Sequence, residues 1–321
     1  MMRPTTLYHY ASPGGFRGVI ETSELWATDV RFLNDAQELR FAWDEFRRVL
    51  AKRVKAESPY REAYRTELDV IAKLKATDLD AMEFRIFAAC LSELSDDVPQ
   101  WRSYASDGHG VALGFATEQI LMLPVRYYNH LVGGDLEPGK AVNTGEQITW
   151  PAMLQQVTYG AKARKKAIAA ELWQIEQACE TDDVSTPYSR QYNLIHRVPL
   201  HLGNLAHVKH KGFKSEHEWR LTIQEHFPGS TAVQISALTD LEPGVLWNSM
   251  PKTTVDVRFR EGGQALFKPY ISVPFSKSAL VEVVLGPNVN ADLAEPVFRR
   301  LLDRHGYQHT RITPSTMPYR A

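Results

Sequence analysis

Two carboxylates and a guanidinium stand close together in Ser215-Glu216-His217-Glu218-Trp219-Arg220-Leu221-Thr222-Ile223. Read as a strand with side chains alternating between its faces, the stretch puts Trp219, Leu221 and Ile223 on one side and Glu216, Glu218, Arg220 and Thr222 on the other. The first side reads as core. The second carries charges about 7 Å apart, which suits the wall of a polar cleft; an edge strand with a solvated charged face accounts for the same residue types. Further upstream, Asp35 and Glu38 have the spacing of a capping box, which leaves Asn34 unexplained. With Glu216 and Glu218 they also make an oxygen-donor set of the kind Mg²⁺ takes, although no spacing assembles the four. Trp101 and Tyr104, three apart, share a face of a helical turn. Asp107-Gly108 and Gly110 follow, permitting a tight turn and close backbone approach. The aromatic pair suits core packing or a stacking surface for an aromatic ligand.

Other constellations are weaker. His207 and His210 have no Cys or acidic residue at a recognised ligand spacing, so no metal is expected. Lys162, Arg164, Lys165 and Lys166 are the densest basic cluster, either a solvated helix face or a phosphate-contacting patch. Gly108-His109-Gly110 lacks a third glycine and precedes a strand, so it is not a dinucleotide loop. No Gly-x-Ser-x-Gly elbow marks a hydrolase nucleophile.

The elements that must position these residues begin with a short strand, Leu7 to Tyr10. Ser12-Pro13 then supplies an N-cap and a first-turn proline, with Phe16, Val19 and Ile20 as the buried stripe of a brief helix. Leu25 to Phe32 predicts a strand, and a longer helix follows with Leu39, Trp43, Phe46, Leu50 and Val54 inside. Residues 55–80 read as a charged helical hairpin, and Phe84 to Leu91 as an apolar strand holding Cys90. Val111 to Phe115 and Pro124 to Tyr128 are strands, 133–149 a loop, 150–180 and 188–208 helices, and Asp182 to Pro187 a loop. The last third is β-rich: Val255, Val257 and Phe259 alternate, Glu261-Gly262-Gly263 turns, and Ala265 to Val273 pairs back as a hairpin. Val281 to Leu285, a helix with Leu293, Val297, Leu301 and Leu302 inside and closed by Gly306, and a strand from Tyr307 to Ile312 complete the chain.

At 321 residues, with 44% hydrophobic and 23% charged residues, the chain can bury a sizeable core. Lys plus Arg number 37 against 38 Asp plus Glu, so any nucleic-acid contact must be local rather than carried by net charge. Two distant cysteines, Cys90 and Cys179, exclude a disulfide framework and fit a reducing cytoplasm. The amino terminus has no apolar signal core, and no stretch reaches the ~18 to 20 apolar residues of a bilayer span. The expected fold is a single α+β domain over 1–321. Its mixed, mainly antiparallel sheets are built from both ends of the chain, with a mainly helical insertion around 145–208 packed outside.

In its landmarks the chain resembles an uncharacterised bacterial family, the domain of unknown function 2971. The landmarks are Leu7-Tyr8-His9-Tyr10; Leu25-Trp26 with Phe32-Leu33-Asn34-Asp35 and Glu38; Cys90-Leu91-Ser92-Glu93; Trp101-Arg102-Ser103-Tyr104-Ala105 to Gly110-Val111; Glu216-His217-Glu218-Trp219-Arg220; and Ser315 with Pro318-Tyr319-Arg320. That resemblance confers no activity. A strand with Tyr-His, a short helix, a strand opening with Leu and a late Glu-x-Glu also look like the layout of ADP-ribosyltransferases. This second resemblance implies NAD as substrate and no metal. It gives His9 the grip on the ribose, Glu218 catalysis and Glu216 the orientation of the acceptor. Tyr104 is the candidate for stacking on nicotinamide, with Tyr10 and Trp101 as further cofactor-binding candidates. Asn34, Asp35, Glu38 and Arg220 are candidates for substrate binding, Arg220 alternatively as an ion-pair partner steadying a glutamate. The chain lacks the Ser-Thr-Ser element of that superfamily, and its phosphate-binding residues are not identifiable.

The expectation is therefore a cytoplasmic, NAD-consuming ADP-ribosyltransferase-like enzyme acting on a macromolecular acceptor such as nucleic acid or protein. It is expected to be a toxin or phage-defence effector with a neutralising antitoxin partner and no membrane association. The alternatives are a non-catalytic nucleotide or nucleic-acid binding module and a Mg-dependent nuclease using Asp35, Glu38, Glu216 and Glu218.

Overall fold

The computed structural model describes residues 3–33, 38–73, 85–131, 142–181, 200–224, 253–262 and 266–319. Strand β1 (Thr6–Ala11) ends at Ser12, whose hydroxyl accepts from the Gly15 amide at 3.2 Å, and Pro13 opens α1 (Pro13–Thr22). This cap and proline start the helix as its sequence predicts, and Phe16, Val19 and Ile20 are its buried stripe. Next come β2 (Glu24–Asp29), α2 (Glu38–Lys55), α3 (Arg61–Lys73), β3 (Ile86–Ser92), α4 (Val98–Tyr104) and β4 (Val111–Ala116). β5 (Met122–Leu131), β6 (Val142–Gln156), β7 (Thr158–Tyr159) and α5 (Gly160–Thr181) follow. Helical residues 200–205, β8 (Val208–Lys209) and a 3-10 turn (Lys211–Glu216) lead into β9 (Glu218–Gln224). The last third supplies β10 (Thr253–Val255), β11 (Arg258–Glu261), β12 (Phe267–Pro274), β13 (Leu280–Leu285), α6 (Ala291–Arg304) and β14 (Arg311–Pro314). No described helix is long and apolar enough to cross a membrane.

A 12-stranded sheet gathers every described strand except β7 and β8, in the order β10-β5-β6-β9-β3-β1-β4-β13-β14, with β2, β12 and β11 branching from β3. The fold is mixed α+β, and strands from both ends of the chain do share this sheet. Pairing is antiparallel except between β13 and β14 and, in the small second sheet, between β7 and β8. Several expectations need correction. Leu293 and Val297, expected inside α6, are exposed, and the last strand is Arg311–Pro314 rather than Tyr307 to Ile312. Residues 142–156 form a strand between β5 and β9, so the helical region begins at Gly160 rather than near 145. Ala152 and Leu154 alternate into the core, and Pro151 just before them hides that period of two in the sequence. The 182–199 segment lies outside the described residues.

β9 is a central strand, not an edge, because β6 and β3 flank it. Its Trp219, Leu221 and Ile223 enter the main core, as alternation predicts. Full burial of an aliphatic side chain contributes roughly 1.5–3 kcal/mol. A one-residue slip would exchange Leu221 and Ile223 for Glu218 and Arg220, so the register is strongly specified. α1 and α6 cover this apolar face, with Phe16 stacked on Phe298 at 4.7 Å between centroids.

The sheet forks at β3. One edge of β3 pairs with β9 from Ile86↔Gln224 to Ser92↔Glu218. The other edge is shared: β1 pairs only at Tyr8↔Ser92, and β2 only at Thr28↔Ala88 and Asp29↔Phe87. The two branches leave residues 89–91 between them.

Candidate functional site

Strand register places the candidate residues on one face. Arg260 pairs with Lys268; Tyr270, two residues on, pairs with Thr28; Thr28 pairs with Ala88; Cys90 pairs with Arg220, and Ser92 with Glu218 and Tyr8. Directly paired residues share a face, as do alternate residues of one strand. Arg260, Lys268, Thr28, Cys90, Arg220 and Glu218 therefore line a single surface opposite the apolar core. At one end α2, α3, α5 and residues 200–206 cover it, around Trp43, Phe46 and Ile86. At the other end Trp101 of α4 packs on Tyr10. Between these coverings lies a cleft of about 250 Å³, into which Tyr104, Lys209 and Glu216 also reach.

A chain of ion pairs forms its floor. Lys209 Nζ donates to Glu216 Oε2 at 2.6 Å and to Glu218 Oε2 at 2.8 Å. Arg220 Nε donates to Glu218 Oε1 at 2.7 Å, and its Nη1 to the Ala206 carbonyl at 2.6 Å. The Glu218 amide donates to the Tyr159 hydroxyl at 2.8 Å. Glu218 and Arg220 are 4% and 2% exposed, so the charged side of β9 is desolvated and paired rather than solvated. Burial opposes ionisation of Glu218, but the charges of Arg220 and Lys209 outweigh it and hold the carboxyl at about 2. Arg220 is likewise held cationic: burial opposes this, and Glu218 overcomes it.

Glu216 does not belong to the strand, contrary to the alternation read from its sequence. It ends the 3-10 turn, and His217 turns the chain through the left-handed region (φ 45°) before β9 starts at Glu218. Lys209 brings the two carboxylates together instead. Tyr104, 36% exposed at the mouth, donates its hydroxyl to Glu216 Oε1 at 3.1 Å, and burial followed by the neighbouring carboxylate raises its pKa. The Lys209 ammonium sits between Glu216 and Glu218, where a metal bridging them would have to bind.

His9 pairs with the core residue Leu113, so alternation starts it on the apolar side. Its ring turns into the fork, where Nδ1 donates to the Cys90 carbonyl at 2.9 Å and replaces a ladder bond that the split removes. There it borders a small recess with Tyr104, Glu216 and Glu218. Burial, with the Arg260 charge adding to it, lowers the His9 pKa and keeps the ring neutral. Burial and then Glu218 raise the Cys90 thiol well above its ordinary value, so it stays protonated.

Trp101 is fully buried and gives its indole N–H to Asp96 at 2.7 Å. Tyr10 donates its hydroxyl to the Leu94 carbonyl at 2.9 Å. Both side chains hold α4 against β1. Asn34, Asp35 and the Glu38 side chain lie outside the described residues. His207, set aside as a ligand on spacing, hydrogen-bonds the Gly203 carbonyl through Nδ1 at 3.1 Å. Lys209 stands out in the sequence only as part of a basic loop, with Lys211 and Lys214, just before the two carboxylates; Arg260 and Lys268 do not stand out. A local signal for the last two existed, since the hairpin about Gly262 places Arg260 opposite Lys268. For Lys209 the local signal is its place in that basic loop, although its partners come from a turn and a strand that only folding apposes.

Fold and site together make this a mixed α+β protein whose cleft, opening at a fork in the sheet, is lined among the described residues by Lys209, Arg220, Arg260 and Lys268 against Glu216 and Glu218. Residues 100–221 match the model of the family described as "Protein of unknown function (DUF2971)". The match runs from α4 to β9 and bears out the family resemblance carried by Trp101 to Gly110 and Glu216 to Arg220. No curated protein and no solved structure matched the chain.

Proposed function

We propose that the cleft binds NAD and that the protein is an ADP-ribosyltransferase-like enzyme, cytoplasmic, which transfers ADP-ribose to a macromolecular acceptor. The observation that carries this reading is the convergence of Glu216, Glu218 and Tyr104 on a cleft with an excess of cationic side chains. Its volume of about 250 Å³ is at the small end for ligand pockets and suits one end of a dinucleotide. Breaking the bond between ribose C1′ and the nicotinamide nitrogen develops positive charge on the sugar, and nicotinamide leaves with the bonding pair. A carboxylate fixed in place stabilises that charge without reorganising. Glu218 is fixed and ionised but shared between two cations. Glu216, with its side chain 16% exposed and Oε1 held toward the mouth by Tyr104, is the more available of the pair. A toxin or phage-defence role with a neutralising partner fits such an activity.

Purified protein incubated with labelled NAD, alone and with nucleic acid or lysate, tests the proposal. Nicotinamide release and label transfer are expected, falling about 100-fold or more in Glu216→Gln and Glu218→Gln. The more exposed Glu216 keeps the test independent of folding. An absence of NAD consumption under all these conditions refutes it.

A second reading, a non-catalytic nucleotide or nucleic-acid binding module, is favoured by one observation: His9 commits Nδ1 to a backbone carbonyl, and Glu218 both its oxygens to cations. It predicts ligand-dependent melting shifts without turnover. The magnesium-dependent nuclease draws less support, because Lys209 already bridges the two glutamates.

A further inference from the structure

We propose that Arg260 and Lys268 form an anion subsite in the wall of the cleft, built for a phosphoryl group of a small nucleotide-type ligand. The nature of the ligand rests on the reading of the cleft as a nucleotide site; the anion subsite itself does not. The two residues are directly paired across β11 and β12. Their Cβ atoms are thus about 5 Å apart on one face, an arrangement that is destabilising for like charges. A salt-bridged surface would place a carboxylate beside them. Among the described residues neither makes an ion pair, whereas Lys209 and Arg220, on the floor of the same cleft, are both paired to glutamates.

Arg260 is positioned rather than loose. Its Nη2 donates to Thr28 Oγ1 at 2.8 Å, and its guanidinium lies 5.9 Å from the Trp26 ring centroid. Its Nε is buried and has no hydrogen-bond partner among the described residues, a donor that an acceptor on a bound ligand would satisfy. A guanidinium with a free edge next to an ammonium is the donor set that phosphate oxygens take. Burial lowers the pKa of both groups, and for Lys268 the charge of Arg260 adds to it, the tension a bound anion relieves.

The test uses inorganic diphosphate, with inorganic phosphate and chloride at matched ionic strength as controls, and follows thermal unfolding of the full chain. Wild-type protein is expected to show a saturable rise in Tm with diphosphate. Lys268→Gln and Arg260→Gln should weaken the apparent affinity about 10-fold or more. Lys268→Gln should also leave the ligand-free Tm equal to wild type or higher, because it removes a like-charge contact and no ion-pair partner among the described residues. A double substitution at Lys165 and Lys166 on α5 should leave the shift intact. The absence of a saturable shift, or one that survives both cleft substitutions, overturns the proposal. NAD consumption, assayed on the same proteins, separates the two claims. Diphosphate binding without NAD turnover leaves the subsite standing and removes the transferase reading. Turnover with no change of KM in Lys268→Gln and Arg260→Gln does the reverse.

Discussion

Glu218 shows how a residue type changes meaning with its surroundings. On an edge strand its charge would be solvated and nearly neutral for stability; on β9 it is buried between Arg220 and Lys209. Its carboxyl sits at about 2 against an ordinary value of 4.5. Between those values the unfolded chain binds the proton more readily. The stabilising contribution is therefore fully present above about pH 4.5 and is lost as pH falls through about 2, an effect on the order of 3 kcal/mol. Urea unfolding from pH 2 to 7 should show this slope in wild type and a flatter one in Glu218→Gln. At pH 7 that variant is expected to lose about 3–5 kcal/mol, since it breaks the buried ion pair with Arg220 and removes one of the two carboxylates on Lys209, which keeps Glu216. Equal stability of the two proteins at pH 7 would contradict the pairing. The same comparison calibrates the activity test, because loss of NAD consumption counts only for folded protein.

The Gly108 to Gly110 turn belongs to the packing of elements rather than to a ligand loop. A Cβ on Gly110 would lie 2.3 Å from the Ala11 carbonyl oxygen and 2.8 Å from that of Ala105. The end of β1, the end of α4 and the start of β4 meet there without room for a side chain. Gly286 and Asn288, just after β13, donate their amides to the carbonyls of Gly110 and Gly108 at 3.0 Å each, so a third element uses the same turn. Gly110→Ala is expected to cost on the order of 2 kcal/mol, because backbone atoms rather than flexible side chains must give way. Calorimetry of the variant checks this, and an unchanged Tm would show that the junction can relax. The predicted close backbone approach is thus present, with protein backbone as the approaching group.

Across the molecule, the chain ends are tied to the middle. β14 lies parallel to β13, and the segment after it is held by Asp96: Ser315 Oγ at 2.6 Å, the Thr316 amide at 2.7 Å and the Trp101 indole at 2.7 Å all donate to this carboxylate. Tyr319 adds a hydroxyl bond to Asp107 at 2.5 Å. The last described residues therefore brace α4, which carries Tyr104 to the mouth of the cleft. Asp96→Ala should destabilise by roughly 1–3 kcal/mol, since it leaves the indole N–H buried without its acceptor. Amide exchange at Thr316 should rise with it. If exchange there is already fast in wild type, the brace is not formed in solution.

Features encoded by near neighbours were legible in the residues alone. Ser12-Pro13 starts α1, Trp219, Leu221 and Ile223 mark the buried side of β9, and Gly306, in the left-handed region, closes α6. Capping, alternation and turn geometry act within a few residues, so a few residues suffice to read them. Membership of the cleft was legible only in part: Glu218, Glu216 and Tyr104 reach it, whereas Trp101 and Tyr10 serve the packing of α4. The position of β9 between two strands, the fork that claims His9, and the apposition of Lys209, Arg260 and Lys268 were not legible. Each depends on which distant strands pair and on what covers both faces of the sheet, and those pairings are settled by burial summed over the whole molecule rather than by any local pattern.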